Sequence, residues 1–339
     1  MKIPRAQKLP SGNWHVSLMV DGRRVSITEP TRRAAEAKAA AIKSGAKEIR
    51  APASLTVGKA IDLYIASKDS VLSPSTIAGY KRQRQNTLQS LMDIPVASLT
   101  QEAVQVAVNA MARDKSPKYV KNAYGLLTAA LSVYRPELVL RTTLPQKEKP
   151  DISIPSTEDI QRIAQYEKGK RFELPFLLAA WLGLRASEIR GLTWDCVGEG
   201  TIHVKQALVD GPDGPVLKLT KTYSSDRVLL VPPYIMSLIE AQPHTDEYVI
   251  HYNRNQLYKC LERACRSLGI QRYRFHDLRH YQASVMLSMG VPDKYAMERM
   301  GHASTNMLKN VYQHTMSEKS KEVAASIDEF FEKNLSAGE

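Results

Sequence analysis

Cysteine is scarce in this chain. Cys196, Cys260 and Cys265 are the only three among 339 residues, and none stands at zinc-ligand spacing from another. That excludes a disulfide framework and fits free thiols in a reducing cytoplasm. Long apolar runs are missing too. The longest, Leu174 to Leu184, contains Trp181 and is too short for a bilayer, which needs about 20 residues. Met1-Lys2 leads into a polar, basic stretch, so no secretory leader is expected. Nor is there a cysteine or acidic cluster near the candidate chemistry to hold a metal. What the chain does have is length for two or three domains, 43% hydrophobic residues and a formal charge of +12. The charge is uneven. Residues 1–53 hold 11 basic and 4 acidic residues, residues 54–153 hold 13 and 8, and residues 154–339 hold 23 of each. The excess therefore lies wholly in the N-terminal half. It favours a polyanionic partner, nucleic acid before membrane, because no basic helix with a bulky apolar face accompanies it.

The chemistry concentrates near the other end. His276 and Arg279 stand three apart where Leu278, Ala283, Val285, Met286, Leu287 and Met289 give helical spacing, so imidazole and guanidinium share a face. Gly290 and Pro292 separate this helix from the next. Gly301-His302 follows, and Tyr312 stands ten residues later. Such an array suits a phosphate transition state, with donors to hold the charge and a phenol to attack. Singly, each residue has a plainer reading: a His-x-x-Arg pair is ordinarily a polar helix face, and Gly-His can simply start a helix.

The order and spacing resemble the C-terminal motif set of the tyrosine recombinases, the phage-type integrases. That resemblance implies two upstream partners, an arginine after a Gly-Leu turn and a lysine in a β-hairpin. Arg185, in Gly183-Leu184-Arg185, matches the first, with Glu188 as the acidic residue expected just after it. Lys221, in Leu219-Thr220-Lys221-Thr222, matches the second, whereas Lys218 would face the opposite side of its strand.

The remaining blocks fit the same family. In residues 1–50, Asn13–Leu18 and Arg23–Thr28 alternate like strands about an Asp21-Gly22 turn. A helix capped by Thr31 follows and stops at Gly45. This module resembles the arm-type DNA-binding domain of some integrases, with Arg23, Arg24, Arg32 and Arg33 toward DNA; a solvated basic decoration is the alternative. Residues 54–135 read as four helices, opening after Thr56, Ser73, Thr100 and Ser116, with Lys81, Arg82 and Arg84 as a basic edge. They resemble a SAM-like core-binding domain, though alone they say only "basic helical domain". Residues 136–154, with four prolines counting Pro155 at the edge, read as an extended linker. Residues 155–339 are the expected catalytic domain. There a buried helix over 174–184 is closed by Trp194-Asp195, three strands run over 201–209, 216–222 and 227–232, and a helix spans 255–268. An apolar stripe on Val323, Ala324, Ile327, Phe330 and Phe331 predicts a terminal helix from about Ser320 to Lys333. It folds back on its own domain or docks on a neighbouring protomer.

The expected fold is therefore multidomain and mainly α with small β elements: a β-β-α module with room for a third strand, a helical domain and an α+β catalytic domain. The resemblance implies a site-specific recombinase acting through a 3′-phosphotyrosyl intermediate, with Arg185, Lys221, His276, Arg279, His302 and the nucleophile Tyr312 as its catalytic set. It implies no cofactor and no metal, because the phosphotyrosine conserves bond energy and the arginines supply positive charge. The implied partners are double-stranded attachment-site DNA, a homotetramer on that DNA, and an excisionase or a host DNA-bending protein; the implied location is the bacterial cytoplasm. A type IB topoisomerase and a catalytically silent DNA-binding regulator are the alternatives.

Overall fold

Asn13 to Thr28 alternates apolar and polar residues, and this pattern folds as a hairpin. In the computed structural model, which describes residues 4–20, 23–43, 54–146, 153–219 and 225–301, β2 (Trp14–Val20) pairs antiparallel with β3 (Arg23–Glu29). A two-residue strand that the alternation does not announce, β1 (Gln7–Lys8), adds to the outer edge of β2. Helix α1 (Arg32–Lys43) begins where the Thr31 hydroxyl accepts the Ala34 amide. It closes a small core of Ala6, Val16, Leu18, Ile27, Ala35 and Ala39. The Asp21-Gly22 turn and the Gly45 stop lie outside the described residues.

The four helices of the next block are α2 (Val57–Ala66), α3 (Pro74–Asn86), α4 (Gln101–Ala112) and α5 (Pro117–Tyr134). Thr56, Ser73, Thr100 and Ser116 cap them, each side chain accepting an amide three residues on. Such caps answer donors that the first helical turn leaves unpaired. Their apolar faces meet around Ile61, Ile77, Val104, Val120 and Leu127.

Residues 138–146, after α5, form neither helix nor strand, yet they do not leave the helices at once. Leu138, Leu140 and Leu144 pack against that core. Gln101 Oε1 accepts the Arg141 amide and Gln105 Oε1 accepts the Thr143 amide, while Gln105 Nε2 donates to the Thr143 carbonyl. Two glutamines on one face of α4 thus satisfy an extended backbone in place of a neighbouring strand.

The chain divides into two units, Met1–Glu148 and Lys149–Glu339. The second is an α+β body. After α6 (Thr157–Glu167) comes α7 (Glu173–Ala180), which ends four residues before the expected limit. Gly183 takes a left-handed φ of +68°, the Leu184 amide returns to the Leu178 carbonyl, and a separate short helix α8 (Ala186–Arg190) starts after Arg185. Trp194 belongs to a one-turn 3-10 segment beyond α8 and closes neither helix.

The expected first strand breaks at Lys205. Its front half, β5 (Thr201–Val204), lies between β4 (Val197–Gly198) and β8 (Arg227–Leu230). Its back half, β6 (Gln206–Asp210), forms a hairpin with β7 (Pro215–Leu219). Then follow α9 (Pro233–Glu240), α10 (Arg254–Ser267), α11 (Phe275–Ser288) and α12 (Asp293–Met300). Their core includes Ile160, Phe176, Ile189, Ile202, Leu257 and Leu278. Among the described residues no helix is long and apolar enough to cross a membrane.

Candidate active site

Four chain segments converge at the C-terminal end of α12. Gly301 caps that helix with a left-handed φ of +62°. A helix end leaves carbonyls without partners and carries partial negative charge, which suits cations. Here three successive carbonyls each receive a different guanidinium. Arg227 Nε donates to the Arg299 carbonyl at 2.8 Å, Arg279 Nη2 donates to Met300, and Arg185 Nη2 donates to Gly301 at 3.0 Å.

The same three arginines surround one carboxylate. Glu188 lies on α8, three residues after Arg185. Its oxygens stand 2.5 Å from Arg185 Nη1, 3.0 Å from Arg227 Nη2 and 4.0 Å from Arg279 Nη1. Glu188 also accepts the Arg185 amide at 2.9 Å, so it fixes the backbone of the turn as well as its charge. Burial pushes the Glu188 carboxyl up, but the charge and hydrogen bond of Arg227, with the charges of Arg185 and Arg279, outweigh it and hold the pKa at about 2.

Arg279 is fully enclosed, at 1% exposure. Besides Met300, its Nη1 donates to the Gly183 carbonyl, the residue whose left-handed turn ends the Gly-Leu approach to Arg185. Burial, then the neighbouring Arg185, lowers its pKa to about 9, so it keeps its charge at neutral pH. Its Nε is buried and has no hydrogen-bond partner among the described residues. A charged donor left unpaired in the interior is costly.

His276 stands one turn before Arg279 on α11. Its ring meets that of His280 edge-on, with centroids 4.8 Å apart. Burial, then His280, Arg279 and Arg185, push its pKa down to about 4, and Glu188 opposes them only in part. The imidazole is therefore neutral at physiological pH, with one ring nitrogen able to accept a hydrogen bond.

Of the expected catalytic set, the structure brings Arg185, His276 and Arg279 together. Lys221, His302 and Tyr312 lie outside the described residues, as does the terminal stripe from Val323 to Phe331. Lys218 is on β7 opposite Ala207. Among the basic residues expected at DNA, Arg24, Arg33, Lys81 and Arg82 are exposed. Arg23 opens β3. Arg32 is exposed but pairs with Glu36 and lies over the Trp14 ring. Arg84 turns inward instead, donating from Nε to the Gly58 carbonyl and pairing with Asp62 at 3.0 Å. Its guanidinium lies against α2 where Gly58 leaves room, so it braces two helices.

Arg227 and His280 are site residues that the sequence motifs do not single out. Arg227 looks like an ordinary strand residue after a Ser-Ser-Asp turn, and only its fold-given partner Glu188, 39 positions away, distinguishes it. His280 is visible as the residue after Arg279, one helical turn from His276.

Comparison with known proteins bears on the family and the fold. The phage integrase family model matches residues 156–319. A tyrosine recombinase XerC-like protein of Caldanaerobacter subterraneus subsp. tengcongensis is 23% identical over 229 residues, covering 58% of this chain and 59% of that protein. The chain thus spans less than two thirds of that curated relative's length. The Tn1549 transposon integrase, solved with transposon right end DNA, superposes with a TM-score of 0.63 at 16% identity, over 80% of this chain and all of that one. A lambda integrase, solved as a tetramer on a Holliday junction, gives 0.60 at 18% identity, over 91% and 94%. Over residues 156–319, just under half of its length, the chain is thus similar to the phage integrase family, that of the tyrosine recombinases.

Proposed function

We propose that the chain is a site-specific DNA recombinase that cuts and rejoins strands through a 3′-phosphotyrosyl intermediate. The observation that carries this reading is the buried Nε of Arg279, unpaired among the described residues, beside Arg185 and a neutral His276. Arg185 and Arg279 bind the non-bridging oxygens of the scissile phosphate, where planar guanidinium forks fit best. Tyr312 Oη attacks phosphorus, a phosphotyrosyl bond forms, and the bond to the 5′ oxygen breaks. The phenol, with an ordinary pKa of about 10, passes its proton to His276. Lys221 protonates the leaving 5′ oxygen and His302 donates a hydrogen bond to the phosphate. Attack of another strand's 5′-hydroxyl on the phosphotyrosine reverses the step, which is recombination.

In the same reading, residues 1–50 bind arm-type DNA, residues 54–135 bind the core site, residues 136–154 link them to the catalytic domain at 155–339, and four copies assemble on DNA. An excisionase or a host DNA-bending protein sets direction.

A nicked suicide duplex bearing a candidate attachment site tests the chemistry. Wild type should form an SDS-resistant covalent adduct, and Tyr312→Phe should bind the duplex without forming one. An adduct in the variant removes Tyr312 from the role. Relaxation of supercoiled DNA without strand exchange would favour a type IB topoisomerase, and binding without any adduct a silent regulator.

A further inference from the structure

Arg227 occupies an unusual place among the three arginines. Its side chain is 4% exposed, against 31% for Arg185. All its nitrogens are engaged: Nε with the Arg299 carbonyl, Nη1 with the Ser225 carbonyl at 3.1 Å and Glu188 Oε1 at 3.5 Å, and Nη2 with Glu188 Oε2 at 3.0 Å. Four of its five N–H donors are thus spent on protein oxygens. Arg279 Nε has no partner among the described residues, and Arg185 keeps surface. Arg227 also opens β8, so it ties the strand after the Lys221 segment to α8 and to the end of α12, just before His302.

The charges give this place a consequence. Three guanidiniums and one carboxylate leave the cluster with two net positive charges. Without Arg227 the negative charge of Glu188 falls on Arg185 and Arg279 alone, and one net positive charge remains for an anion. Buried charges interact strongly because little water screens them.

We propose that Arg227 is a positioning residue: by pairing with Glu188 and holding the Arg299 carbonyl, it neutralises the buried carboxylate and leaves Arg185 and Arg279 to bind a phosphate. The proposal rests on the phosphate reading of those two arginines, and its test separates the two ideas. Inorganic sulfate, a tetrahedral dianion, is titrated into the full chain while guanidinium 15N signals of Arg185 and Arg279 are followed by NMR. Arg227→Met should weaken sulfate binding by roughly tenfold, the scale of one nearby unit charge in a partly screened site. Adding Glu188→Gln to that variant should restore affinity to within about twofold of wild type. A side chain that only filled space would show no such rescue.

Thermal unfolding of each protein runs alongside. If Arg227→Met fails to fold, folding of the double variant is the same rescue and supports the pairing. Failure of both, or unchanged sulfate affinity in Arg227→Met, or no recovery in the double variant, overturns it. If wild type binds no sulfate, the phosphate reading fails instead. The coupling of Arg227 to Glu188 is then judged from unfolding alone, where additive losses overturn it.

Discussion

Lowering the pH from 7 to 5 should destabilise the second unit through His276. The folded imidazole has a pKa of about 4, against an ordinary value of 6.5, because it is buried and faces His280, Arg279 and Arg185. At pH 5 the unfolded state binds a proton there that the folded state refuses. Stability is thus complete above about pH 6.5 and is lost as pH falls toward 4. Over the two-unit drop the loss works out at about 2 kcal/mol, taking 1.36 kcal/mol for each unit of difference. Glu188 titrates too low to contribute in this window. Asp277 and Glu167, both pushed up by burial, act in the opposite direction, so a variant is needed to isolate the histidine. Urea unfolding at both pH values, for wild type and His276→Gln, gives that comparison. The pH dependence should shrink by about 2 kcal/mol in the variant. NMR of 13C-labelled histidine should place the His276 midpoint near 4. A midpoint near 6.5, or equal pH dependence in the two proteins, would refute the reasoning.

Three further outcomes are expected. Gly183→Ala should cost about 1–2 kcal/mol from its left-handed φ alone, and its Cβ would stand 2.7 Å from Met300 Sδ. Because Gly183 and Met300 both accept from Arg279, faster hydrogen exchange in the last turn of α12 should accompany the loss seen in urea unfolding. Gly191→Ala places a Cβ 2.7 Å from the Leu208 amide nitrogen and 2.9 Å from Ala207 backbone atoms. It should loosen the β6–β7 hairpin while sparing the arginine cluster, read as exchange confined to residues 206–219. Removal of residues 1–50 should flatten the fall of log K for DNA with log salt, by roughly one unit of slope for each lost phosphate contact. Equal slopes for truncated and full-length protein would return this module to a surface decoration.

Legibility in the sequence followed the range of the interaction. Thr56, Ser73, Thr100 and Ser116 announced their helices because a cap and the amide it accepts are three residues apart. The Arg185–Glu188 and His276–Arg279 pairs were visible for the same reason. The break at Lys205 was not, since nothing in Thr201–Val209 says that its two halves pair with different strands. Leu138, Leu140 and Leu144 looked like linker residues because the core they pack against is assembled only by the fold, and the glutamines holding the intervening Arg141 and Thr143 backbone lie about 40 positions earlier on α4. Arg227 was hidden likewise: only the fold brings a strand arginine to the carboxylate of α8 and the end of α12.

The three carbonyls at the end of α12 also change what an arginine substitution means there. Arg185→Ala or Arg279→Ala removes a cation and, at the same stroke, strips a hydrogen bond from the helix end that leads into His302 and Tyr312. Kinetic losses in such variants are sums of two defects, one electrostatic and one of scaffold. Lysine in either place would keep the charge but surrender the fork, so the two defects are separable only by comparing alanine with lysine at the same position.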